Sequence, residues 1–165
     1  MSMRNASRSG GALSIVFLRV LLGLLFLSVW GSNVHKHLYD SGPYASLVRF
    51  YVDSGRAPGV WKDVMRFVAD HAAIASKLQL VTELAFGILL VLGLATRPVG
   101  VAAGLYLSSL WLSEIGVPHE WIWSLVFPAL VAFYLAVVSA GRVLGLDSRL
   151  LDRAPLSRLP PWATG

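Results

Sequence analysis

A carboxylate at position 83 interrupts an otherwise apolar run from Leu78 to Gly93. An ionised acid costs about 2.5–3.5 kcal/mol to insert into hydrocarbon, so one found there needs a partner or a task. Arg19 repeats the anomaly inside the first apolar run, and His35, Lys36 and His37 follow at that run's far end. Glu83 lies about two turns in from the near end of its own run at 1.5 Å per residue. If the two runs are antiparallel neighbours, that depth matches Lys36 and the histidines. Two chemistries fit. Glu83 accepts a proton beside a quinone or other ligand headgroup, with Lys36 and His35 steering an anion or a quinone carbonyl. Alternatively, Glu83 clamps the first two helices through Lys36 or a histidine. Arg19 has a similar choice: it snorkels to the headgroups, turns inward as a structural contact, or reaches Glu83. His37 and Arg97 are candidates for structural or binding contacts.

Other chemistries lack their residues. The chain has no cysteine, which removes disulfides, thiolate metal sites, iron–sulfur ligation and thiol nucleophiles. None of its four histidines falls within an apolar run, and no two stand at i, i+4 on one. A haem or metal site is therefore not expected. Neither a phosphate-binding glycine loop nor a nucleotide fingerprint is present. Tyr106, Ser108, Ser109 and Ser113 read as helix-packing hydroxyls.

The surrounding composition says what must position these groups. Of 165 residues, 56% are hydrophobic and 14% charged, against about 25% charged in ordinary globular domains. Mean hydropathy is +0.65. A chain of this length cannot bury so much apolar surface in its own interior, so it reads as one integral membrane domain. The net charge of +5 fits basic residues at membrane flanks and anionic headgroups. No basic stripe or motif suggests nucleic acid.

Apolar runs at about 12–34, 74–95, 98–113 and 121–140 predict four membrane spans. The first is too long for the core of a signal peptide and lacks a cleavage site. An all-α, four-helix integral membrane bundle follows, because backbone groups in lipid must be satisfied within each segment. Arg4, Arg8, Arg97, Arg142, Arg149, Arg153 and Arg158 place both termini in the cytoplasm by the positive-inside rule. The domain is bounded at 12–151, with a cytoplasmic N-terminal segment over 1–11 and a flexible cytoplasmic tail over 152–165. The first extracytoplasmic loop predicts two short amphipathic helices. Tyr44, Leu47, Val48 and Tyr51 share one face, then a breaker from Asp53 to Gly59, then Val60, Trp61, Val64, Met65 and Val68 share another. Resting on lipid is the simpler reading of that pair; a lid over the bundle mouth is the alternative. Small residues at every fourth position, Gly100, Gly104 and Ser108, then Ala132, Ala136 and Ala140, predict close helix approach.

The run Glu83-Leu84-Ala85-Phe86-Gly87-Ile88-Leu89-Leu90-Val91-Leu92-Gly93-Leu94-Ala95-Thr96-Arg97 resembles the central signature of the DoxX/DoxD family of small bacterial and archaeal membrane proteins. Arg19 to Leu27 with Lys36 resembles its opening, and Gly141-Arg142-Val143-Leu144-Gly145-Leu146-Asp147 its closing motif. The long outer loop is nearer to DoxD. The resemblance implies a four-helix bundle in the cytoplasmic membrane. For DoxD-like members it implies a subunit of a thiosulfate:quinone oxidoreductase, with quinone as acceptor and another subunit or a second copy as partner. A non-catalytic anchor or assembly partner of a soluble redox enzyme is the alternative, and a small-solute permease a further one.

Overall fold

The computed structural model describes the backbone of residues 3–153 and the side chains of residues 11–149. Within them the chain is helical: α1 (Met3–His35), α2 (Ser41–Ser54), α3 (Gly59–Asp70), α4 (Ala72–Leu92), α5 (Thr96–Glu114), α6 (Trp123–Val137), a 3-10 turn at Ala140–Arg142 and α7 (Leu146–Arg153). Helix α1 extends back through most of the predicted 1–11 segment. Of the predicted tail, 154–165 lies outside the described residues.

Among the described residues, two helices are long and apolar enough to cross a membrane: Gly11–His35 of α1, and α4. Only 22% of the apolar window in each is buried. Phe17, Leu21 and Leu24 on α1 and Leu78, Val81 and Ile88 on α4 are instead exposed. A core helix of a soluble protein would bury such side chains, and an outward apolar surface of this extent marks contact with lipid. The chain is a membrane protein. Helices α5 and α6 fall on the other two apolar runs; α6 is the shorter, at 15 residues, with Pro128 inside it.

One core joins α1, α4, α5 and α6, built from Leu22, Phe26, Leu90, Ala103, Leu107, Ala132 and Leu135. Helix α1 packs on α4, and α5 on α6. Glycines set both distances. A Cβ on Gly23 would lie 2.9 Å from the Val91 nitrogen, and one on Gly100 would lie 2.7 Å from the Ala132 carbonyl oxygen. The α5–α6 obstacle is backbone, so it yields only if the helices part. Gly100→Ala is expected to cost about 1–3 kcal/mol, read as a lower melting temperature in detergent. Gly42→Ala, where a Cβ meets nothing within 4 Å, is the control.

Helix α4 ends where Gly93, at φ +67°, returns its N–H to the carbonyls of Leu89 and Leu90, a left-handed stop that glycine adopts without penalty. Two residues later Ala95 is also left-handed, at φ 50°, a conformation that costs an L-residue about 1–2 kcal/mol. Asp147 stabilises it from the far end of the chain. Its carboxylate accepts the N–H of Ala95 at 2.6 Å and of Thr96 at 2.9 Å, and the Thr96 hydroxyl. The first turn of α5 thus receives a cap that its own sequence does not supply.

Helices α2 and α3 occupy the stretch between α1 and α4, and Gly55 to Pro58 break between them. They pack on α4 and α5. Their buried faces are turned toward α4 and α5, while Val60, Phe67 and Phe50 remain exposed on the outside.

Candidate functional site

Glu83 is 2% exposed, and four donors, from three helices and one turn, converge on it. Oε1 accepts the Tyr106 hydroxyl of α5 at 2.5 Å and Gln79 Nε2 of α4 at 2.9 Å. Oε2 accepts the Tyr39 hydroxyl, from the turn between α1 and α2, and Asn33 Nδ2 of α1 at 3.4 Å. No cation is among them. The carboxylate is satisfied by neutral donors alone, the condition under which a buried polar group is tolerated.

Three of the donors are themselves held. Gln79 stands one helical turn before Glu83 on the same face, and its Oε1 accepts the Tyr44 hydroxyl of α2 at 3.0 Å. The Lys77 ammonium donates to the Tyr39 carbonyl at 3.0 Å, fixing the turn that carries that phenol. The Tyr106 ring is wedged against Phe86 and Phe26, at centroid distances of 5.9 and 6.3 Å. Burial, reinforced by Glu83, raises the Tyr39 phenol, and burial likewise raises Tyr44. Both therefore keep their protons at neutral pH and act as donors.

Above this cluster lies a cavity of about 470 Å³, within the range of small-molecule sites. Glu83, Tyr39 and Tyr106 form its polar end. The walls are mostly apolar: Leu47 and Val48 come from α2, and Trp61, Val64, Met65 and Val68 from α3. The α2–α3 segment is fastened at the cavity rim. The Trp61 indole donates to Ser113 Oγ at 2.9 Å, and the Arg56 N–H donates to the Ile115 carbonyl at 2.5 Å. At the same rim, burial and the neighbouring Glu120 push Glu114 up to about 7 from 4.5. The folded protein then holds a proton that the unfolded chain releases above about pH 4.5. This contribution to stability is complete below pH 4.5 and lost as pH rises through about 7. Melting temperatures taken across that window should fall with pH less steeply in Glu114→Gln than in the wild type.

The sequence-selected residues separate. Only Glu83 sits in the cluster. His35, Lys36 and His37 are exposed, and His37 pairs with Asp40 at 3.4 Å. The depth match between the end of α1 and Glu83 is real, but Asn33 makes the contact. Lys36 comes after the last helical residue, His35, and is exposed. Arg97, half-buried at the start of α5, lines a separate groove with Pro98, Val101, Ala136 and Val137. Tyr106 is a direct partner of Glu83 rather than a packing hydroxyl. Tyr39, in the turn after α1, is 3% exposed and faces inward. Gln79 was legible from its i, i+4 spacing to Glu83; Asn33 and Tyr39 carried no comparable signal.

Arg19 neither snorkels nor reaches Glu83. It is 2% exposed, and its guanidinium donates to the carbonyls of Ala140 at 2.9 Å, Val143 at 3.0 Å and Leu144 at 3.4 Å. Asn33 lies 14 residues further along α1, so this contact is about 21 Å from the cavity floor.

Residues 15–157 match the model of a protein family described as TQO small subunit DoxD. No curated protein and no solved structure matches the chain.

Proposed function

The chain belongs to the DoxD family, and from that membership we propose that it is the four-span membrane subunit of a thiosulfate:quinone oxidoreductase, with its quinone site in the cavity above Glu83. The family description, a small subunit, implies a partner subunit. In this reading α5 and α6 are the third and fourth crossings, both termini are cytoplasmic and the cavity opens outward beneath α2 and α3. The observation that carries it is a carboxylate buried at the polar end of an apolar cavity and bonded to two phenols.

The cavity's chemistry suits a quinone headgroup. Its walls accept a flat apolar ring, and the phenols of Tyr39 and Tyr106 are hydrogen-bond donors for a carbonyl oxygen. Two thiosulfate ions joined by a new S–S bond release two electrons as tetrathionate. Quinone takes those two electrons and two protons to become quinol. A phenol is placed to donate to the quinone oxygen, and Glu83, bonded to both phenols, is placed to return the proton. A positioned acid–base group of this kind contributes about 10²–10⁴-fold. The walls exclude bulk water and keep that exchange within the cluster.

Photoaffinity labelling with an azido-quinone tests the location. In the complex reconstituted in lipid nanodiscs, label is expected on α2, α3 and the Tyr106 segment of α5, and excess unlabelled quinone should remove it. Label confined to another subunit, or to the lipid-facing surfaces of α1 and α4, would refute the site.

A further inference from the structure

We propose that Glu114 exchanges protons between the solvent at the cavity mouth and Glu83 at its floor. The inference rests on the quinone reading of the cavity and adds the route by which that site is supplied.

The route is laid along one face of α5. Tyr106, Ser109, Leu110, Ser113 and Glu114 all line the cavity, at the spacing that puts helical residues on one side. The face rises about 12 Å from Tyr106 to Glu114. At its lower end the Tyr106 hydroxyl is 2.5 Å from Glu83 Oε1. At its upper end Glu114 is half-buried. Between them, Ser109 Oγ donates to the Tyr106 carbonyl at 2.7 Å, and Ser113 Oγ donates to the Ser109 carbonyl at 2.9 Å. Both hydroxyl oxygens are thereby held on the cavity-lining side of α5, between Tyr106 and Glu114. Water occupies about 30 Å³ per molecule, so a 470 Å³ cavity has room for a bridging chain beside the serines.

The groups around Glu114 keep it exchangeable. Glu120 stands on the α5–α6 connection, and the Tyr51 hydroxyl of α2 lies 3.4 Å from Glu120 Oε1. Arg56, on the α2–α3 connection, packs its stem against Gly116. Lys62 of α3 spends its ammonium on the Gly55 carbonyl at 2.8 Å. Among the described residues neither cation forms an ion pair with Glu114. Burial and Glu120 bring the Glu114 carboxyl to about 7, where an acid both takes and gives a proton at ambient pH. Below that value it is protonated and can feed the floor; above it supply falls.

The experiment uses the whole complex in nanodiscs, with a soluble short-chain quinone and its native electron donor, between pH 5.5 and 8.5. Wild-type quinone reduction should decline as pH rises through about 7. Glu114→Gln should be at least about tenfold slower at the acid end and flat across the range. Glu114→Asp should restore a pH break. Glu120→Gln removes the repulsion and should move the break to lower pH. Quinone affinity, read by competition against the azido-quinone, should be unchanged in every variant. Wild-type rates and an unmoved break in both Glu114→Gln and Glu120→Gln would overturn the proposal. So would a Glu114→Gln defect seen only in affinity. A wild-type complex that binds no quinone would instead remove the parent reading, and this one with it. Should Glu114→Gln fail to assemble, infrared titration of the wild type decides, since a carboxyl band titrating near 7 is required.

Discussion

Glu83→Gln is expected to lower quinone reduction by at least about 100-fold while leaving the protein folded. The amide keeps the size of the carboxylate and loses its capacity to take and return a proton. Its oxygen can still accept from Tyr106 and Gln79, and its NH₂ can face Tyr39 and Asn33. Those two groups can turn to accept, because a hydroxyl is both donor and acceptor and an asparagine amide can flip. The network is then re-satisfied with reversed polarity, and only the chemistry is lost. Glu83→Leu differs. It strands four donors that now converge on the carboxylate, each costing about 1–3 kcal/mol when buried unpaired. That variant should fail in both accumulation and turnover. The informative comparison is the amide: full turnover in a well-folded Glu83→Gln complex would deprive the cavity floor of its assigned role.

Much of this architecture could be read in the linear chain, and the limits were geometric. Hydropathy marks the apolar runs because lipid contact demands long uninterrupted stretches, and a helical period runs through the segments that fold as α2 and α3. Glu83 stands out because its neighbours are so apolar. Its partners do not, because partner choice depends on rotation about the helix axis and on where a turn begins. A shift of three residues separates Asn33, which touches Glu83, from Lys36, which points to solvent. Tyr106 is one hydroxyl among several on α5, and only the packing of Phe26 and Phe86 aims it at the acid. The segment after α6 was the least legible. Ser139 and Leu144 both adopt left-handed backbone, at φ 50°, and no periodicity signals a chain that doubles back on itself. Its closing motif makes physical sense once folded: the glycines let the backbone pass close to Arg19 and Thr96, and the aspartate caps α5.

That returning segment yields the largest stability effect expected. Arg19→Met should cost about 3–5 kcal/mol, the range for breaking a buried charged contact by removing one partner. Three carbonyls lose their donor, and the nearby Asp147 carboxylate loses the cation that attracts it. Asp147 would still bond Ala95 and Thr96, but with less to hold its segment against α1. Arg19→Lys should recover little, because one ammonium cannot reproduce a planar fork spanning separate carbonyls. Gly141→Ala tests the same knot from the other side. A Cβ there would stand 1.8 Å from Thr96 Oγ1 and 2.0 Å from an Asp147 carboxylate oxygen, so the cap on α5 would have to open. Both variants should melt well below the wild type in detergent. The knot lies about 21 Å along α1 from the cavity floor, so the fraction that remains folded should bind quinone with unchanged affinity. An Arg19→Met protein as heat-stable as the wild type would show that the returning segment is not held by this contact. A stable Arg19→Met protein with weakened quinone binding would show instead that the two ends of α1 are coupled.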